Sequence, residues 1–245
     1  SCGKENIRFW RVQDQHLPGS CVALGHMARG LHFTDLAFEA QKCAPNNFLG
    51  ERLQKHHRIF VSSLEGKVVQ LSYSTREIKA VCNLHNGPIY SICANEGFVA
   101  TASGDMMIRV WPLDLQTFYL HAEHTSEVIG VDISVDGCKV LCSTTSGSIG
   151  ILDLEKRDYE TIGLCHHDEI TACAVSEDGR EIATVSRDSL VKCWDVDTLI
   201  QNAEFSVEGD VGISLCYHPS VNGKQVPLLA AGFELTDLKQ AGIPV

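Results

Sequence analysis

No apolar run in this 245-residue sequence approaches the about 20 residues that a membrane-spanning helix requires. No Asn-x-Ser/Thr glycosylation acceptor occurs, and no secretory leader is visible. Basic residues are in the minority: 20 Lys and Arg stand against 31 Asp and Glu, a formal net charge of −11. That balance argues against nucleic-acid binding along the whole surface. Apolar residues make up 44% and charged residues 21%, which is the composition of an ordinary soluble globular chain. The eleven cysteines are an odd number. Several (Cys93, Cys142, Cys173, Cys193, Cys216) lie inside apolar runs, where the thiol acts as a small buried hydrophobe. With the missing acceptor sites, this points to a reducing, intracellular compartment.

What is present is a repeat. Residues 165–196 hold three short runs of strand character, Ile170 to Val175, Glu181 to Val185 and Leu190 to Trp194. Asp178-Gly179 and Arg187-Asp188-Ser189 separate them as turns. A His precedes the first run and Trp-Asp closes the third, so the stretch resembles one WD40 propeller blade. Moved back by 42 residues, His166 falls on His124, Gly179 on Gly137, and Trp194-Asp195 on Leu152-Asp153. The closing positions are 10, 71, 111, 152 and 194, separated by 61, 40, 41 and 42 residues. A period of about 40–45 residues is the WD40 spacing, and the long interval is a blade with an insertion.

The organisation follows. Residues 1–12 are the end of a preceding blade. Residues 13–73 form a blade with an insertion loop at 39–56, between the strands FTDLAF and HRIFVSS. Residues 74–113, 114–154 and 155–196 are regular blades, and 197–245 hold a partial blade and a tail. The expected fold is all-β: a WD40 β-propeller with about four complete blades plus partial blades at both ends, a fragment of a larger propeller array. Ring closure protects sheet edges, so the ring is expected to be completed by further blades of the same polypeptide.

Spacing places a polar network at His85, Thr101, Asp105 and Trp111, and a second at His166, Thr184, Asp188 and Trp194. A buried Trp N–H needs an acceptor; a hydroxyl can accept it and pass a bond to His, whose other nitrogen meets Asp. The blade between has His124, Cys142, Ser146 and Leu152, a broken set, and the long blade has Arg29, Val61, Glu65 and Leu71, which is none. A hydrolase triad uses similar residue types, but it needs an exposed nucleophile beside an oxyanion hole. Here the hydroxyl lies mid-strand and the set occurs twice, so no enzyme is expected. Cys165-His166-His167 lacks the paired spacing of a zinc site, and the Gly147–Gly150 stretch lacks the lysine of a phosphate loop. No metal or cofactor is expected.

Charge is uneven: residues 1–80 carry net +4 and residues 155–210 net −9. Lys42, Arg52, Lys55 and Arg58 in and beside the insertion are therefore candidates to meet an acidic partner such as tubulin, against the plainer reading of a solvated loop. Met106 and Met107 occupy a turn where Gly or a small polar residue is usual, and exposed Met suits an adaptable binding surface. Together with His167, Asp168 and Arg187, expected on the same end of the ring, they form a second candidate contact for a peptide segment of another protein.

SCGKENIRFWRV, GLHFTDLAFE, IRVWPLDL with AEHTSEV, STTSGSIGILDL and IATVSRDSLVKCWDVDTL closely resemble the large centriolar and ciliary WD-repeat family, that of WD repeat-containing protein ninety. The likeness runs to about Phe233. It implies a non-enzymatic scaffold in the cytoplasm, on the cytoskeleton, at the centriole or ciliary microtubule wall. It implies a role in centriole integrity and cilium assembly, with other scaffold proteins as partners and neither nucleic acid nor membrane. Family members carry an N-terminal microtubule-associating module that is not among these residues, so the likeness does not extend tubulin binding to them. The alternative is a generic WD40 adaptor that binds a peptide on its narrow face.

Overall fold

The computed structural model describes residues 1–11, 16–39, 58–163, 165–176, 178–206, 210–217 and 229–235. Every regular element among them is a strand. Three sheets have four antiparallel strands in chain order: β4 (Phe33–Phe38), β5 (Arg58–Ser63), β6 (Lys67–Ser72) and β7 (Ile78–Asn83); β12 (Val128–Ile133), β13 (Lys139–Thr144), β14 (Ile149–Asp153) and β15 (Asp158–Ile162); and β16 (Ile170–Val175), β17 (Glu181–Ser186), β18 (Leu190–Asp195) and β19 (Gln201–Ser206). A fourth sheet has the same order, with β8 (Ile89–Ala94), β9 (Phe98–Ser103), β10 (Met107–Pro112) and β11 (Leu120–Glu123). A three-stranded sheet joins β1 (Cys2–Gly3), β2 (Asn6–Trp10) and β3 (Gly19–Cys21), and β20 (Asp210–Tyr217) pairs with β21 (Leu229–Leu235). These are propeller blades. The chain forms two compact units, Ser1–His121 and Ala122–Val245.

Burial explains the sequence pattern. The second strands are covered on both faces, so β9 reads FVATAS and all six residues are buried. Such strands are apolar or small throughout instead of alternating. The outermost strands are less covered: in β19, QNAEFS, five of six residues are exposed, and β7, IKAVCN, has none fully buried. Sheets and sequence repeats are also out of phase. β7 lies in the repeat 74–113 but pairs with β6, and β15 and β19 likewise complete the sheet that precedes their own repeat. Each repeat is thereby hydrogen-bonded into two successive sheets.

The first strand pair of each four-stranded sheet carries an irregularity at the same place, between Phe33 and Leu36, Ile89 and Ser91, Val128 and Gly130, and Ile170 and Ala172. A bulge there sharpens the twist and re-aims the side chains. Side chains of these first strands tie sheet to sheet within each unit. Thr34 Oγ1 donates to the Ile89 carbonyl at 2.6 Å, and Asp35 Oδ2 accepts from Ser91 Oγ at 2.9 Å and Ile92 N–H at 3.0 Å. In the second unit, Thr171 Oγ1 donates to the Gly212 carbonyl at 2.6 Å, and Asp132 Oδ2 accepts from Val175 N–H at 3.0 Å. Apolar packing follows the same pairs. Trp111 shares one buried cluster with Ala37, Phe60 and Val68 of the preceding sheet, and Trp194 shares one with Leu141, Ile149 and Ile151.

Candidate functional site

The turns joining the second and third strands set up the site. In each of the four, one residue has positive φ: Gly66 (+73°), Met106 (+65°), Gly147 (+76°) and Ser189 (+67°). An Asp stands just before it in two of these turns, Asp105 and Asp188. His85 Nδ1 lies 3.0 Å from both Asp105 oxygens, and its Nε2 lies 2.8 Å from Thr101 Oγ1. Trp111 Nε1–H donates to the same Thr101 Oγ1 at 2.9 Å. His166 Nδ1 lies 3.1 Å from Asp188 Oδ2 and its Nε2 2.8 Å from Thr184 Oγ1, to which Trp194 Nε1–H donates at 3.2 Å. An ionised carboxylate only accepts, so Nδ1 carries the imidazole proton, and Nε2 accepts from the threonine hydroxyl. Every member of the chain Asp–His–Thr–Trp is then satisfied.

Electrostatics agree with a neutral His. Burial pushes the His85 imidazole down to about 4, against the pull of Asp105. His166 is lowered too, by burial first. For Asp105, burial works to raise the carboxyl, but His85, Ser103 and Arg109 together hold it below its ordinary value. The sign for stability follows. Between about pH 6.5 and about pH 4 the unfolded chain protonates His85 and the folded chain does not, so acidification favours unfolding. Stability should be level above neutral pH and fall across that window, by up to about 3 kcal/mol from His85 at about 1.4 kcal/mol per pK unit. Urea titrations at stepped pH read this; a His85→Gln chain should show a shallower decline.

The sheet β12–β15 holds a different arrangement. His124 Nδ1 accepts from Thr125 N–H at 2.8 Å, while its buried Nε2 has no partner. Where the other sheets place Thr and Trp, this one has Cys142 and Leu152. Tyr159 fills the space from the outer strand β15: its hydroxyl lies 3.3 Å from Cys142 Sγ and its ring packs edge-on to His124 at 6.1 Å. Gly150 makes that possible, because a Cβ there would lie 2.6 Å from Tyr159 Cζ. Burial pushes the Cys142 thiol up to about 12, so it is an inert thiol. The long sheet also has a pair that spacing does not show. His32, not Arg29, meets Glu65, Nδ1 to Oε1 at 2.8 Å.

The surface candidates separate. Met106 is 42% exposed in its left-handed conformation, whereas Met107 is the half-buried first residue of β10. A Met106→Gly change should relieve backbone strain and raise stability by about 1 kcal/mol, read by thermal melting. His167 and Asp168 are exposed in the loop before β16; His167 N–H donates to Asp188 Oδ2 at 3.0 Å, and the Asp168 carbonyl accepts from Ser186 Oγ at 3.2 Å. Arg187 is paired with Glu169 at 2.9 Å. Met106 and Met107 belong to the first unit, and His167, Asp168 and Arg187 to the second. Lys42, Arg52 and Lys55 lie outside the described residues, as do most of the 39–56 insertion and the tail after Leu235. Arg58 is engaged within the chain. Its Nε and Nη2 hold both Glu39 oxygens at 3.0 and 3.1 Å, and Nη1 donates to the Leu113 carbonyl at 2.9 Å. This bidentate pair anchors the start of β5.

The comparisons fit this division. The family described as WD domain, G-beta repeat matches residues 76–112 and 160–195, the two stretches that contain Thr101, Asp105 and Trp111, and His166, Thr184, Asp188 and Trp194. WD repeat-containing protein 90 of Xenopus tropicalis is 33% identical over 89% of this chain, and the Homo sapiens protein of that name 30% identical over 90%. Centriole proteome protein 16 of Chlamydomonas reinhardtii is 29% identical over 68%. The chain spans 12%, 13% and 8% of the length of these relatives. Repeated four-stranded sheets, two complete Asp–His–Thr–Trp chains and these matches show that the chain belongs to the WD40-repeat family, and that along most of its length it is similar to WD repeat-containing protein 90.

Proposed function

We propose that this chain is a non-enzymatic scaffold segment of a centriole- or cilium-associated protein, in which WD40 blades offer binding surface to other scaffold proteins. The observation that carries this is the likeness to a protein named for the centriole proteome over 68% of the chain, together with the longer likeness to WD repeat-containing protein 90. The polar networks support it physically. They are buried, duplicated and fully satisfied, which suits a rigid frame for loops better than catalysis. In this reading the segment supports centriole integrity and cilium assembly on the microtubule wall, and further blades of the same polypeptide complete the ring.

The test is replacement of the endogenous protein by a tagged copy in which Thr101 and Thr184 are both valine. The expected result is loss of the tag from centrioles and fewer ciliated cells, with recovery in the double serine control. Undiminished centriolar signal and normal ciliation with a misfolded segment would remove this role. A second reading, a peptide-binding adaptor, is favoured by Met106, an exposed apolar side chain kept in a conformation that glycine would hold more easily.

A further inference from the structure

The first unit has a groove that none of these features explains. It lies between the end of the β2–β3 hairpin and the turn after β6, encloses about 690 Å³, and is walled by Phe9, Trp10, Arg11, Ser20, Tyr73 and Arg76. Its floor is aromatic: the Phe9 and Tyr73 rings meet at 6.0 Å, and Phe38 packs edge-on to Tyr73 at 6.3 Å. Tyr73 is 50% exposed and Phe38 53%, unusual for adjoining aromatics on a chain with only 7% of such residues. Its wall is cationic. The Arg76 guanidinium, on an exposed side chain, stacks over Phe9 at 5.4 Å and donates from Nη1 to Ser20 Oγ at 2.7 Å, which fixes its plane. Arg11, also exposed, lines the groove, and Arg8 lies over Trp10 at 5.9 Å. The described lining residues include no carboxylate.

From this geometry we infer that the groove is a docking site for an extended acidic peptide that carries one aromatic side chain. The fixed guanidinium donates two N–H bonds to a carboxylate, and the Phe9–Tyr73 floor takes the ring. The volume falls within the range of about 300–1,000 Å³ usual for such sites. Charge selects the partner: residues 1–80 carry net +4 within a chain of net −11, so the attraction is local and short. A nucleic acid fits less well, since a long polyanion would meet the acidic remainder of the chain. This inference rests on the protein-interaction reading, and it adds the chemistry of one partner and the place it binds.

The test is fluorescence polarisation of the intact protein with a short labelled poly-glutamate peptide containing one central tyrosine. Binding should weaken with added salt, and Arg76→Glu should weaken it at least about tenfold, as loss of a charge-assisted bidentate pair implies. Arg11→Glu should weaken it less. Both side chains are exposed, so melting temperatures should stay near that of the parent. Replacing the tyrosine of the peptide by alanine should also lower affinity. Equal binding of a poly-lysine peptide, indifference to Arg76→Glu, or tighter binding of single-stranded oligo-uridine would each overturn the proposal. So would absence of binding, as when another blade of the polypeptide covers the groove. None of these results touches centriolar placement, which is read separately in cells.

Discussion

A Gly66→Ala chain should be less stable than the parent by roughly 2–5 kcal/mol, the sum of a left-handed backbone penalty of about 1–2 and an overpacking penalty of about 1–3. Gly66 sits at φ +73°, and a Cβ there would run into the His85 carbonyl oxygen and lie 2.9 Å from that of Gly87. Neither neighbour is a side chain that can swing away. The loop in the way is itself bonded to the turn, because the N–H groups of Leu84 and His85 donate to the Gly66 carbonyl at 3.0 and 3.1 Å. Room for a methyl group can be made only by lifting His85, which would draw its ring from Thr101. Gly147→Ala should behave likewise, with the His166 carbonyl 2.6 Å from the added carbon. Urea denaturation measures both. A loss below about 0.5 kcal/mol, the range of ordinary surface substitutions, would show that the loops are not packed as described.

Thr184→Val should cost roughly 2–6 kcal/mol, because it leaves two buried groups without partners at about 1–3 each. The valine keeps the shape of threonine, so no cavity forms. What disappears is the acceptor for Trp194 Nε1–H and the donor to His166 Nε2. Thr184 is fully buried, so water cannot substitute. Thr184→Ser, which keeps the hydroxyl, should retain most of the stability. A loss from Val no larger than that from Ser would contradict a stabilising role for the hydroxyl in the polar chain.

Much of the fold is legible in the residues. Ile170–Val175, Glu181–Ser186 and Leu190–Asp195 are strands because β-branched residues lie between Asp-Gly and Arg-Asp-Ser turns. Gly179, at φ +70°, shows why the Asp-Gly signal works. The fixed interval of ten residues from Thr to Trp follows from hairpin register, which sets Thr184 opposite Lys192 and Ile182 opposite Trp194. Other features leave no such trace. β3, Gly-Ser-Cys, is a strand only because β2 pairs with it, and it carries no alternation. Tyr159 takes over the tryptophan's place from a polar outer strand, DYETI, where an aromatic looks like surface. Arg58 belongs by sequence to a basic cluster, yet its partner Glu39 lies 19 residues earlier across an insertion, beyond any local pattern. Asp35 and Asp132 had a faint signal, a carboxylate amid apolar residues, and the structure shows them tying neighbouring sheets together.

Three tryptophans give the whole account a direct readout, since hydrogen exchange of their indole N–H groups can be followed as three separate signals. Trp111 and Trp194, 5% and 7% exposed and bonded to buried threonines, should exchange slowly, and both should become fast in the matching Thr→Val chains. Trp10, 48% exposed and bonded to Ser1 Oγ, should exchange fast from the outset. Three indoles exchanging at one common rate, indifferent to Thr101→Val and Thr184→Val, would contradict the claim that each of these blades is pinned by its own Asp–His–Thr–Trp chain.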